Sequence, residues 1–371
     1  MPEPTRILFT IPNFITAGSG QAMLNIVEHL DPEKYAPAVC VTRKGGDLSR
    51  VVEKLGIPFF EAPFTVPAQP YLTLPARAWR AAQVFRPYHF NLWHSFHYLD
   101  DYTEPIIAHL SGARRWIYTK KNMNWGRRAW YLRSLFASRI AAQNTDMMRS
   151  FFGNVWFRNR ARLIPCGVDV DRFYPGGSAS LGIRTQEGIP ENAIVCACVA
   201  HLVPVKGHPT LIEAVAKIPG MHVLIAGSPL DANYFDKLQE MTSKLGLEDR
   251  VHFIGSISNV PALLAEVDIF VLPTERRGEG SPVALLEAMA CGCACVGTDV
   301  PGSRDLIEHG KSGWIVSPEE SAALAEALRG LAASSELRRS LGEAARARIL
   351  SRYTIAREAA DHAAMYADLH V

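Results

Sequence analysis

GEGSPVALLEAMACGCACVGTDV, residues 278–300, holds two glutamates, Glu279 and Glu287, with seven residues between them. The apolar run IFVLP (269–273) before it has the composition of a buried strand, and ALLEAMA that of a helix. Glu279 then falls in a glycine-bearing loop, while Glu287 falls inside an alanine- and leucine-rich helix, where a carboxylate gains little from its surroundings. Ser281 reads as the helix cap and Pro282 as a first-turn residue, which points the amides from Val283 to 285 at an anion. Glu287 lies about one and a half turns further on, so the two acids address two points along one extended ligand. The alternative is a coincidental surface pair.

The same unit repeats along the chain. Strand patterns fall at 6–11, 37–42, 58–62, 90–95, 115–119, 139–143 and 161–165, separated by amphipathic stretches such as 21–30 and 47–56. The stretch 173–192, rich in Gly, Ser and Pro, reads as a linker. Strand patterns resume at 193–200, 221–227, 250–255, 268–273, 293–298 and 313–317. This alternation predicts an α/β chain with two doubly wound, Rossmann-like domains facing a central cleft, where strand ends meet ligand. The predicted boundaries are 1–178 for the first domain and 179–350 for the second. A helix at 351–371 is expected to pack back on the first.

Bulk properties exclude several classes. Hydrophobic residues make up 48% and charged residues 20% of 371, the profile of an ordinary globular protein. No apolar run approaches the roughly 20 residues that span a bilayer. The opening MPEPTRILFTIPNF lacks the basic and long apolar regions of a signal peptide, so a cytoplasmic protein is expected. Seven cysteines include the run Cys291, Cys293 and Cys295. They read as small residues entering a buried strand, because the second cysteine pair of a zinc site is missing.

The net charge of +2 conceals 22 Lys/Arg against 13 Asp/Glu in residues 1–178, and 17 against 24 in the remainder. Residues 112–162 alone carry twelve cations and one acid, Asp146. There RRWIYTKKNMNWGRRAWYLRSLFASR (114–139) interleaves Lys120, Lys121, Arg127 and Arg128 with aromatics. It reads either as a solvated helix face or as a surface that touches anionic lipid or a lipid-linked acceptor. No nucleic-acid module is visible.

Three further segments bear chemistry. AHLVPVKGHPTLIEAVAKI (200–218) puts Lys206 at a helix start, where an ammonium about 4 Å from a phosphate is worth on the order of 4 kcal/mol. The bland alternative is a solvated surface lysine. FNLWHSFHYLDD (90–101) ends a strand with His94 and His97, which are either functional or satisfied at a sheet edge. The acidic pair of DVD (169–171) is read as structural.

Taken together, these segments resemble the large retaining family of GT-B glycosyltransferases with an E-x7-E signature (glycosyltransferase family 4-like). RLIPCGVDVDRFYP (162–175) is similar to the family's "IPNGVD…F.P", HLVPVKGHPTLIEA to its "RLVPEKG…LIEA", and VHFIG to its "V.F.G" strand. The resemblance implies transfer of a sugar, with retention, from a nucleotide-diphospho-sugar to a glycan or lipid-linked acceptor. It also implies that no metal or other cofactor is needed and that uridine is the commonest base. Carried over by position, Lys206 would hold the diphosphate and Glu287 the ribose hydroxyls. Glu279 would contact the sugar and face its developing positive charge, and Gly255 and Ser256 would line the base pocket.

TAGSGQAML (16–24) resembles the family's glycine-rich turn, which would bring Gly18 and Gly20 near the diphosphate. Two positions depart from the pattern. His201 stands where the family usually has arginine, so leaving-group stabilisation is weaker, pH-dependent, or shared with Arg276 and Arg277. The family's H-x-H is here H-x-x-H, with Phe96 at the place of the second histidine, so His94 or His97 would serve. A same-fold sugar-nucleotide epimerase and a non-catalytic nucleotide-sugar-binding protein are the rival readings. Localisation on the inner face of the cytoplasmic membrane is the matching expectation.

Overall fold

The computed structural model describes residues 3–14, 17–99, 101–124, 128–177 and 180–370. The chain forms two compact units, one of Met1–Gly167 with Ile355–Val371 and one of Val168–Thr354. The crossover thus falls at Gly167/Val168 rather than at 178. The chain returns at Thr354/Ile355, so the helix Ile355–Ala367 belongs with the first unit.

The first unit is a seven-stranded parallel sheet: β1 (Thr5–Thr10), β2 (Tyr35–Val41), β3 (Phe59–Glu61), β4 (Leu92–Ser95), β5 (Arg115–Lys120), β6 (Arg139–Ala142) and β7 (Ala161–Leu163). Its order is β3-β2-β1-β4-β5-β6-β7, so the direction of growth reverses between β1 and β4. Period-two alternation fills both faces: Ile7 and Phe9 pack on one side with Met365 and Tyr366, and Leu8 packs on the other with Trp93 and Trp116.

The second unit repeats the plan with β8 (Val195–Val199), β9 (His222–Ala226), β10 (Val251–Gly255), β11 (Ile269–Leu272), β12 (Ala294–Thr298) and β13 (Trp314–Val316), in the order β10-β9-β8-β11-β12-β13. Growth here reverses between β8 and β11. Cys196 and Cys198 of β8 and Cys295 of β12 are buried strand residues, and all seven cysteines are free thiols.

The stretch read as a linker is instead part of the second unit's packing. Ile183 and Ile189 are buried against Val195 and Leu224. The Glu266 carboxylate accepts from Ser180 Oγ and from the amides of Gly182 and Arg184. Glycine and serine correctly signal a loop there, but a carboxylate 82 to 86 residues away satisfies its backbone. Asp169 accepts from the amides of Asp171 and Arg172, so the D-V-D segment caps its own turn.

At the reversal point in the second unit, Gly207 has φ 69°, and a Cβ added there would overlap the Pro273 carbonyl oxygen. Gly220 has a similar φ of 73° but nothing within 4 Å. Substituting alanine at either costs about 1 to 2 kcal/mol for the left-handed backbone, and only Gly207 adds a collision. Gly207→Ala is expected to lower the thermal midpoint well beyond Gly220→Ala, by at least about 4 °C more. Equal shifts in calorimetry would show that the two strand ends do not constrain each other.

Candidate functional site

The loops leaving β8 and β11 are stitched to each other. The Glu275 amide donates to the Val205 carbonyl at 2.9 Å, and Lys206 Nζ pairs with Glu279 Oε2 at 2.7 Å. Thr274, fully buried, donates from Oγ1 to Glu279 Oε1 at 2.6 Å, and the Glu279 amide donates to Pro301 O. Glu279 is therefore held at both carboxylate oxygens, with side-chain exposure of 14% against 21% for Lys206. Gly278, at φ 67°, lies against the Pro301 ring, where no side chain fits. Lys206 closes a 3-10 turn, Pro204–Lys206, and Gly207 caps the helix His208–Ala216 that follows.

The neighbouring helix runs Val283–Ala290, one residue later than the sequence suggests. Pro282 takes the cap position with ψ 88°, and its carbonyl accepts from the Leu285 and Leu286 amides. Ser281 stands outside and makes no cap bond. The proline ring fixes φ but leaves ψ free, and its Cδ packs against the Gly302 backbone. Among the described residues the amides of Val283 and Ala284 have no acceptor, and the helix dipole adds to their partial charge.

Glu287 lies inside this helix, half-buried. Burial raises its carboxyl to about 7, opposed in part by the Arg172 guanidinium. Its two relatives in the loop, Lys206 and Thr274, are engaged with Glu279 and not with it.

Two more strand ends lie at the same edge of the sheet. A Cβ on Gly227 would overlap the Ala200 carbonyl, and the Gly227 amide donates to Gly255 O at 2.7 Å. Gly255 ends β10 at φ 68° beyond a register shift, with Ser256 exposed after it. His201 is exposed just beyond β8. Arg276 is tied to Glu319 at 3.3 Å, and Arg277 is exposed.

In the first unit, several sequence assignments find a different physical role. His94 is fully buried with both ring nitrogens engaged, Nδ1 with Tyr366 Oη at 2.7 Å and Nε2 with Thr119 Oγ1 at 2.8 Å. It packs against Phe96 and His362 and has no nitrogen left for a ligand. His97 is 4% exposed and sits against a buried ion pair of Arg133 and Glu104. Burial, with the Arg133 charge, lowers its imidazole to about 3.

Gly18 and Gly20 lie within the helix Ala17–His29 rather than in a turn before it. A Cβ on Gly20 would meet Leu48 and Phe14 at 2.7 and 2.8 Å, so that glycine serves packing. Lys120 is fully buried, donates to Asn122 Oδ1 and Asn124 O, and lies over the Trp130 ring at 3.8 Å. It is no surface cation. Lys121 donates to Ser19 O, and burial lowers it to about 8 against the opposing charge of Cys166 and Glu358. Arg128 is exposed, and Arg127 lies outside the described residues.

Sequence reasoning missed three polar residues. Glu104 and Arg133 look like ordinary helix charges, yet both are fully buried beneath the reversal point of the first sheet. His208, beside Lys206, is fully buried with neither nitrogen partnered, and burial lowers it to about 4. A histidine at a helix start gives no hint of burial.

The Glu287 environment sets a pH test. Its folded carboxyl, at about 7, holds a proton more tightly than the ordinary 4.5, so folding is penalised only when the unfolded chain would ionise. The penalty is absent below pH 4.5, grows between 4.5 and 7, and reaches about 3 kcal/mol above that. Glu287→Gln is expected to match the parent in urea denaturation near pH 4.5 and to exceed its stability at pH 8. A variant no more stable at pH 8 would mean that the carboxylate is compensated in place.

Residues 182–348 match the family model described as glycosyl transferases group 1. The N-acetyl-alpha-D-glucosaminyl L-malate synthase of Bacillus anthracis is 30% identical over 190 residues, 50% of this chain and 49% of that protein. A GDP-mannose-dependent alpha-(1-6)-phosphatidylinositol monomannoside mannosyltransferase of Mycolicibacterium smegmatis is 32% identical over 194 residues, 49% of this chain and 50% of its own. The matched segment spans about half the length of these relatives. Two crystal structures share the fold across 98% of this chain. One is a Rickettsia africae glycosyltransferase, with TM-score 0.87, 18% identity and 98% of its own chain covered. The other is the Anabaena HepE protein solved with UDP and glucose, with TM-score 0.83, 21% identity and 100% covered. The fold is thus GT-B-like, with two parallel-sheet, Rossmann-like domains, and residues 182–348 are similar to the glycosyl transferases group 1 family.

Proposed function

We propose that the chain transfers a glycosyl group from a nucleotide-diphospho-sugar to an acceptor hydroxyl, with the donor held by the second unit. The observation that supports this reading is the Lys206–Glu279 pair across the strand-order reversal, beside two helix amides without an internal acceptor. Lys206 and the Val283 and Ala284 amides take the diphosphate, with Ser281 and Pro282 shaping the approach. This supplies cationic stabilisation of the leaving group without a divalent ion. Glu279, fixed by Thr274, accepts from the sugar's hydroxyls and faces the charge that develops as the glycosidic bond lengthens.

Glu287 accepts from the two ribose hydroxyls in this reading, and their donation would relieve the cost of burying its charge. Gly255 and Ser256 line the base, read as uridine by resemblance; HepE was solved with UDP, whereas the mycolicibacterial relative is named GDP-mannose-dependent. Retention fits a site with one fixed carboxylate and a phosphate clamp, the leaving diphosphate accepting the acceptor's proton. The acceptor is a glycan or a lipid-linked group. Contact with an anionic membrane would use Arg128 and the outward Tyr131, Leu132, Leu135 and Phe136 of the helix Ala129–Phe136. No helix among the described residues is long and apolar enough to cross a membrane.

Incubation with UDP-glucose or GDP-mannose and candidate acceptors, with and without EDTA, is expected to give a glycoside of the donor's anomeric configuration in both conditions. Glu279→Ala should lower turnover at least about a hundredfold while UDP binding by calorimetry changes little. Free nucleotide from donor alone would redirect the reading to an epimerase, and unchanged turnover in Glu279→Ala would remove the role given to that residue.

A further inference from the structure

The second sheet ends, beyond its reversal point, in a groove that the proposed transfer does not use. Arg276 comes from the segment after β11, Asp299 and Arg304 from that after β12, and Glu320 from that after β13. The groove measures about 430 Å³, within the roughly 300–1,000 Å³ of small-molecule sites. Its walls lie past the carboxyl ends of parallel strands, where folds of this kind take ligands. No side chain that lines it is one assigned to the donor.

The charged walls are held in place by their neighbours. Glu319 has a left-handed backbone at φ 65°, uncommon for a residue that carries a side chain. Its carboxylate accepts from the Arg276 amide at 3.2 Å and from Arg276 Nε at 3.3 Å. Arg276 is thereby oriented, and its Nη edge has no partner among the described residues. Arg304 donates from Nε to Asp299 Oδ1 and from Nη2 to Asp299 O, both at 2.9 Å. The Glu320 carboxylate is exposed and has no partner among the described residues. Exposed pairs of this kind add little to folding, yet a strained residue is kept to hold one of them. Strain without a folding gain points to a ligand.

Charge decides the class of that ligand. Two guanidinium groups face two carboxylates, so an anion would meet Asp299 and Glu320 and a cation would meet the arginines. A neutral molecule avoids both clashes if it offers acceptors to the arginines and donors to the carboxylates. Neighbouring sugar hydroxyls do both, since each has one O–H and two lone pairs, and planar charged groups bind them in pairs. Pro301 and Pro318 add apolar surface for the C–H groups of the ring. Pro301 also reaches the donor loop, where its ring lies against Gly278 and its carbonyl accepts from the Glu279 amide.

We propose that this groove is a second carbohydrate site, which binds a short neutral saccharide through Arg276, Arg304, Asp299 and Glu320. It lies wholly within the second unit and goes beyond the proposed transfer without depending on it.

Isothermal titration with maltose, cellobiose, lactose and N,N′-diacetylchitobiose, in the absence of any donor, tests the site. At least one of these sugars is expected to bind. Glu320→Ala and Arg304→Ala should each weaken that binding at least about tenfold. Glu320 makes no contact that folding needs, so its variant should keep the parent's melting temperature. Glu326→Ala, an equal loss of charge at an exposed position of the helix Ser321–Ala332, should leave binding unchanged. Saturating UDP should not displace the sugar. Failure of all four sugars to bind, or full binding in Glu320→Ala, overturns the proposal. So does displacement by UDP, which would move the sugar to the donor loops, or a preference for citrate or phosphate, which would make the groove an anion site. Because no donor is turned over, none of these outcomes decides the proposed transfer, which its own assay judges.

Discussion

The second unit turns on a close backbone approach. Residue 207 can lie against the Pro273 carbonyl only because it has no side chain, and its left-handed φ of 69° suits glycine alone. That contact lets the segment leaving β8 run beside the segment leaving β11, where Val205 accepts from the Glu275 amide. Lys206 and Glu279 then meet at the place in the sheet where the strand order reverses, between β8 and β11. Charge, hydrogen bonding and helix geometry at the site are consequences of two loops being allowed to touch.

The two glutamates of the opening segment occupy opposite electrostatic situations. Glu279 has an ammonium and a hydroxyl on its two oxygens, so its charge is answered within the fold. Glu287 is half-buried within an apolar helix, with Arg172 partly offsetting the cost of its charge. A carboxylate kept where it weakens the fold suggests a use outside folding, because a glutamine or leucine there would be easier to bury. Such local conflicts between burial and polarity tend to mark sites.

The thirteen strands among the described residues were legible in the sequence to within a residue or two, because apolar runs buried on both faces leave a strong pattern. The reversal-point motifs were legible too, since glycine, lysine and glutamate at loop positions have few structural uses. Depth was not legible. Lys120, Trp116 and Arg133 look like a cationic, aromatic surface in one dimension, but β5 carries the first two inward and the helix after it turns Arg133 beneath the sheet. His94 reads as a site histidine until Tyr366, from the far end of the sequence, takes its Nδ1. Gly20 mimics a phosphate loop because close helix packing and close ligand approach both demand a missing side chain.

The return of residues 355–367 to the first unit has a bearing on synthesis. Tyr366 completes the His94 environment, Glu358 accepts from the Gly167 amide, and Met365 lies in the same apolar cluster as Phe9. The first unit is therefore discontinuous in sequence and the second continuous. On a ribosome the later-made unit can finish its core before the earlier one, which must wait, with part of one sheet face uncovered, for a helix made after everything else described here.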